Sequence, residues 1–280
     1  SNWYAGGFVG NINNNRNMKM TIFNIINNGM VVGIEKSVGG FVGHADGNTN
    51  VTMTTSNFIN NGPVSGNKGI VGGFAGWISK NPDITIAISN SINNDTVTGN
   101  DRVGGFVGLV DPYSRSSSTL LKFINTANKG NVSADQSTAC GFVCADPENN
   151  ANVNITINNS INKGTVNASS SAYGITNIIT MARNVVCMGN VTNSSGSFTF
   201  WNASTDVNLF YGLDSMCVNC SADASLFEHN ANTGFYEVVR TGKHVDDLLN
   251  VEAIKQCFRM IWTSDLELME SWINFTSCSS

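Results

Sequence analysis

Polar and apolar residues alternate with a period of two in short bursts along the first two thirds of the chain. Met18, Met20 and Ile22 interleave with Asn17, Lys19 and Thr21, Ile84, Ile86 and Ile88 restate the pattern, and so do Val153, Ile155 and Ile157. Alternation of this length predicts a strand with one buried face. Each burst runs into a block of the form Asn-x-Ile-Asn-Asn-Gly-x-Val. Its first Asn is Asn24, Asn57, Asn90, Asn125, Asn159 and Asn184, and the apolar residue two later is Ile26, Ile59, Ile92, Ala127, Ile161 and Val186. The next Asn is Asn27, Asn60, Asn93, Asn128 and Asn162, after which Cys187 breaks the column. The Val is Val31, Val64, Val97, Val132, Val166 and Val191. Between these blocks stands Gly-Gly-Phe-Val-Gly, at residues 6–10, 39–43, 72–76 (with Ala75) and 104–108. An altered copy lies at 140–144, and a fainter one begins at Tyr173-Gly174-Ile175.

The spacings between these anchors are about 33 residues, with one of 36. Each period holds about three short strands, around Gly-Phe-Val-Gly, Ile-x-Ile and Gly-x-Val-x-Gly, separated by Asn and Gly turns. One period cannot bury its own apolar face, so the units must stack. The pattern predicts an all-β fold, a parallel β-helix or β-solenoid of about six coils over residues 1–193. A strand spacing of roughly 4.8 Å makes six coils rise about 29 Å. Equivalent residues then lie above one another. Phe8, Phe41, Phe74, Phe106 and Phe142 are expected to form an inward aromatic stack ended by Ile175. The Asn columns are expected to form amide ladders that satisfy turn backbone groups.

Composition sharpens this picture. Asn accounts for 42 of the 280 residues and Gly for 28, which suits turns and left-handed positions rather than helices. Charged residues are 12% and the net charge is −5 without any basic run, which excludes a nucleic-acid reader built on clustered Lys and Arg. No apolar stretch reaches the roughly 20 residues that span a bilayer, so no membrane span is expected in this chain. The chain starts inside a repeat with no visible signal peptide, as a mature or partial product would. Asn-x-Ser/Thr sequons occur at Asn50, Asn94, Asn131, Asn154, Asn158, Asn167, Asn190, Asn193, Asn202, Asn219 and Asn274. They are glycosylation candidates if a eukaryote secretes the protein. The cysteines are Cys140, Cys144, Cys187, Cys217, Cys220, Cys257 and Cys278. Cys217 and Cys220 form a CxxC, but no second one completes a zinc site, so disulfides in an oxidising compartment are expected. The odd count leaves one thiol free or paired elsewhere.

The Gly-Gly-Phe-Val-Gly block, with Ile-x-Asn-Ser-Ile-Asn-Asn-x-x-Val-x-Gly at residues 88–99, resembles the GLUG repeat family. The resemblance covers roughly residues 4–193 and departs in having Phe-Val where that family often has Leu-Val. GLUG-like repeats occur in large surface and adhesin-like proteins of bacteria and anaerobic protists, and the Asn bias fits a protist such as a trichomonad. The resemblance implies a β-solenoid at the cell surface or outside the cell. It transfers no catalytic residue.

After about residue 194 the repeat stops. Strands are expected at 198–201 and 235–239, and helices at 244–258 and 263–272, with Thr263 or Ser264 as N-cap. Residues 194–280 are read as a mixed α/β cap over the last coil, or as an interaction segment anchored by Trp262 and Trp272. The first coil has no matching cap, and an open coil end is a template for pairing with another chain. Either the sequence is cut from a longer solenoid or another subunit covers that edge, and head-to-tail contact of that kind would build a filament.

The remaining polar residues offer little chemistry. His44, His229 and His244 share no metal-ligand spacing with one another or with a Cys pair, and no nucleophile elbow or phosphate loop is present. Asp46, Asp111 and Asp146 follow the Phe anchor at similar distances and form a partial column, a weak Ca²⁺ candidate that lacks a member at 77–79. No Lys or Arg column accompanies it, which weakens a polysaccharide-lyase reading. The outward positions Thr21, Thr54, Ala87, Lys122, Thr156 and Met181 are too mixed for an ice-binding array. The expected function is therefore a non-enzymatic extracellular structural or adhesive protein, without a cofactor. Its expected partners are itself or other surface proteins. A glycan-binding or glycan-cleaving solenoid is the alternative.

Overall fold

The computed structural model describes residues 3–111, 118–146, 153–177, 181–187, 191–193, 198–201, 215–217, 227–230 and 235–238. Over these residues the chain is a parallel β-solenoid with three strand columns. The longest strands make one column, Lys19–Asn27, Val51–Asn60, Ile84–Asn93, Thr119–Asn128, Val153–Asn162 and Met181–Cys187, paired in register and in parallel. The shortest make a six-rung column, Val31–Gly33, Val64–Gly66, Val97–Gly99, Val132–Ala134, Val166–Ala168 and Val191–Asn193. The six recurrent valines therefore mark six coils, one per rung.

The third side is bent in the middle. In coil two it consists of Ser37–Gly39 and Val42–Asp46, joined by the Gly40-Phe41 corner, and the same two segments recur in coils one to five. In coil six they fuse into one strand, Ser171–Thr176. Glycine is required at this corner by close approach. A Cβ on Gly39 would run into the Val42 carbonyl, and one on Gly73 into the Gly105 carbonyl of the next coil and the Asn93 amide.

Period-two alternation buries one face of each long strand. Ile84, Ile86 and Ile88 are each 1% exposed, and the neighbouring rungs contribute Val51, Met53, Leu121, Phe123, Ile155 and Ile157 to the same core. Phe41, Phe74, Phe106 and Phe142 are fully buried above one another, with stacked centroids 5.2 Å apart for Phe41–Phe74 and for Phe106–Phe142. Phe58 and Phe123 meet this stack edge-on. Phe8 departs from expectation. It stacks on Phe41 at 5.2 Å but is 68% exposed, since its other face is covered by no rung among the described residues.

Left-handed residues recur in columns and account for part of the Asn excess. Asn24, Asn57, Asn90 and Asn125 all have φ between 48° and 57°, inside the long strands. Asn17, Asn50 and Asp83 form a second such column, and Asn14, Gly47 and Lys80 a third. Asn and Gly tolerate this region where other residues are strained.

Beyond coil six, Phe198–Trp201 adds to Ser171–Thr176 and Ser215–Cys217 adds to Met181–Cys187, both in parallel. Phe235–Val238 then pairs antiparallel with Ser215–Cys217 and with Phe227–Asn230. The helices expected at 244–258 and 263–272, with Trp262 and Trp272, lie outside the described residues. Among the described residues no helix is long and apolar enough to cross a membrane.

Candidate functional site

The most extended polar constellation is a set of asparagine ladders. The buried one runs through the second Asn of the block. Asn27 Nδ2 donates to Asn60 Oδ1, Asn60 to Asn93, Asn93 to Asn128 and Asn128 to Asn162, at 2.7–2.8 Å. The same amide nitrogens of Asn60, Asn93, Asn128 and Asn162 donate to the carbonyls of Gly62, Asp95, Gly130 and Gly164 in their own turns. These hydrogen-bonded amides fix the corner of coils one to five. The first Asn column is more exposed. There Asn57 Nδ2 donates to Asn24 Oδ1, and Asn125 Nδ2 to Asn90 Oδ1. The side chains of Asn159 and Asn184 lie outside the described set.

Sequence reasoning missed a further ladder. Asn15 donates to Asn48 and Asn48 to Asn81, both at 2.9 Å, while Asn48 and Asn81 also cap the carbonyls of Ile12 and Ala45. The 33-residue spacing of these three Asn residues was the available signal.

The aspartate column exists in register but is interrupted. Asn13 pairs with Asp46, Asp46 with Ser79 and Ser79 with Asp111, on successive coils. Ser79 Oγ donates to Asp46 Oδ1 at 2.9 Å and lies 2.8 Å from His44 Nε2. A serine hydroxyl has one proton, and here it goes to Asp46, so His44 Nε2 is the donor to Ser79. That order is not a nucleophile relay, in which the imidazole takes the serine proton. His44 is 3% exposed, sandwiched between the Tyr4 and Trp77 rings at 4.4 and 5.0 Å, and its Nδ1 is buried without a partner. Burial pushes its pKa down to about 4, with Lys36 and Lys80 adding to the shift and Asp46 opposing it. Asp111 is held above the ordinary carboxylate range by burial and then by the nearby Asp146. Among the described residues no group of three or more His, Cys, Asp or Glu side chains is placed to hold a metal ion. Asp46 is separated from Asp111 by Ser79, so the three aspartates do not converge as Ca²⁺ ligands.

Cys140 and Cys144 form a disulfide across the glycine-rich corner of coil five. They stand where coils one to four all carry Gly. Beside it, the pairing of Val107–Asp111 with Val143–Ala145 shifts register, since coil five has one residue fewer between the Phe anchor and the aspartate. Cys187 lies on the long-strand column in register with Cys217. Cys220, Cys257 and Cys278 lie outside the described residues.

Among the sequons, Asn50, Asn94, Asn131, Asn154 and Asn167 are exposed, whereas Asn158 is half-buried with its Oδ1 shielded and unpartnered. Asn190, Asn202, Asn219 and Asn274 lie outside the described residues, as does the side chain of Asn193. The largest exposed apolar side chains sit together in the first coil and the turn after it: Trp3, Phe8, Phe23, Ile26, Met30, Val32 and Ile34. Four strands there, Tyr4–Gly6, Val9–Asn13, Lys19–Asn27 and Val31–Gly33, are sheet edges.

No protein-family model matches the chain, and no curated protein matches it in sequence. In structure it is similar to a Bacteroides ovatus protein provisionally assigned as an immunoglobulin A1 protease. The two are 17% identical, with 81% of this chain and 75% of that chain covered and a TM-score of 0.46.

Proposed function

We propose that this chain is a non-enzymatic extracellular module of the GLUG type, structural or adhesive, working through the shape and end surface of its solenoid. The observation that carries this reading is the first coil. It gathers exposed Phe23 and Ile26 on the Lys19–Asn27 strand, and Phe8 and Met30 beside the neighbouring strands, all of them at sheet edges among the described residues. An apolar surface bordered by free backbone donors and acceptors is a template for strand addition. Its partner in this reading is a second copy or another surface protein bearing a compatible strand edge. Cell-surface or extracellular localisation belongs to the same proposal, which the Cys140–Cys144 disulfide supports.

The test is sedimentation of the purified chain against a Phe8→Asp/Ile26→Asp variant, with electron microscopy of both. Concentration-dependent association that the double variant loses is expected. A chain that stays monomeric at every concentration in both forms removes the end surface from the function. A second reading, glycan binding or cleavage, is favoured by Asp111, whose pKa is raised by burial and then by the nearby Asp146, the direction in which an acid group is tuned. Saturable polysaccharide binding or product release that disappears in Asp111→Asn would establish it.

A further inference from the structure

We propose that Cys187 and Cys217 form a second disulfide, which closes the end of the buried asparagine column and ties the strand after coil six to the solenoid. The observation is register. The long-strand column places Asn27, Asn60, Asn93, Asn128, Asn162, Cys187 and Cys217 at one position on successive rungs. Five amides in succession are followed by two cysteines in succession. Adjacent strands of a sheet lie about 4.8 Å apart. Residues in parallel register share a face of the sheet at that spacing, within the roughly 4.4–6.8 Å between Cα atoms that a disulfide spans.

The column has a chemical logic. An amide ladder continues only while each rung offers both a donor and an acceptor, and a thiol is poor at both. Where the amide repeat ends, a disulfide supplies the side-chain link between the two rungs, in addition to their backbone pairing. The chain already forms one such link at positions that are Gly elsewhere, Cys140–Cys144. Ser215–Cys217 is also the strand at which the column passes from parallel to antiparallel pairing. A link there fixes the junction between the parallel repeat and the antiparallel strands beyond it.

The bond forms by thiol–disulfide exchange with a low-molecular-weight disulfide. The Cys187 or Cys217 thiolate attacks it and displaces one thiolate. The second cysteine thiolate then attacks the mixed disulfide and displaces the other. The protein loses two protons and two electrons, and the oxidant is reduced to two thiols.

Peptide mapping of the full chain, produced under oxidising conditions and alkylated in acid before digestion, tests this. Cleavage before aspartate separates the relevant cysteines: residues 135–145 hold Cys140 and Cys144, 146–205 hold Cys187, and 214–222 hold Cys217 and Cys220. The expected species joins 146–205 to 214–222, disappears on reduction, and fragments between Val218 and Asn219 with the link on Cys217. It persists in Cys220→Ser and is lost in Cys217→Ser. Alkylated Cys187 in the unreduced chain overturns the proposal. So does a link from Cys187 to Cys220, Cys257 or Cys278.

Discussion

At the scale of single residues, asparagine does two different jobs in this chain, and its environment decides which. In the left-handed columns it is chosen for backbone tolerance, at Asn24, Asn57, Asn90 and Asn125. In the buried ladder it is chosen for its amide. Asn93 accepts from Asn60, donates to Asn128 and donates to the Asp95 carbonyl, with none of its surface exposed. Truncating it leaves the Asn128 oxygen without its donor and Asn60 short of an acceptor. Each unsatisfied buried group costs about 1–3 kcal/mol, so Asn93→Ala should lose about 3 kcal/mol in urea denaturation. A loss below about 1 kcal/mol would mean that water or a neighbour replaces the amide. Both columns were visible in the sequence because they recur in nearly every coil. The Asn15–Asn48–Asn81 ladder was not, since three occurrences in an Asn-rich chain do not stand out. The His44–Ser79–Asp46 link was missed for another reason: it crosses between coils, and only the register reveals that Ser79 faces Asp46.

At the scale of elements, the glycine-rich corner is the most constrained part of each coil. Gly39 and Gly73 meet backbone carbonyls so closely that any side chain displaces them. Coil five is informative because Cys140 and Cys144 stand where coils one to four carry glycines, and they bridge one another. The disulfide does not supply the corner, since coils one to four build it without the bond. Cys140→Gly/Cys144→Gly should therefore keep the far-ultraviolet signature of the solenoid and lose no more than about 2 kcal/mol, the chain-entropy value of so small a loop. A loss of about 4 kcal/mol or more would show that coil five depends on the bond. The sequence displayed the decayed anchor at 140–144 but not its pairing, because seven cysteines leave many connectivities open.

At the scale of the whole molecule, stability is predicted to carry a signature of one buried histidine. Neutral His44 has a native pKa near 4 against about 6.5 when unfolded. The unfolded chain then binds more protons across that window, so stability present above about pH 6.5 is lost as pH falls towards 4. Asp111 contributes with the opposite sign, its native carboxyl holding a proton more tightly than the unfolded one. Asp111 is unchanged in a His44→Gln variant, which should flatten the fall between pH 6.5 and 4 in denaturation measured at each pH. An equal slope in both proteins would remove His44 as the cause. The amide ladders have a further consequence at this scale. In the two buried ladders every amide-to-amide bond runs from the Nδ2 of one coil to the Oδ1 of the one after it, as in Asn27 to Asn60 and Asn48 to Asn81. In the outer ones every Nδ2 points backwards, as in Asn57 to Asn24 and Asn94 to Asn61. Rotating a single amide by half a turn would set oxygen against oxygen on one side and hydrogen against hydrogen on the other. Each ladder therefore behaves as a row of dominoes, whose facing is shared by all its members and reverses only as a whole.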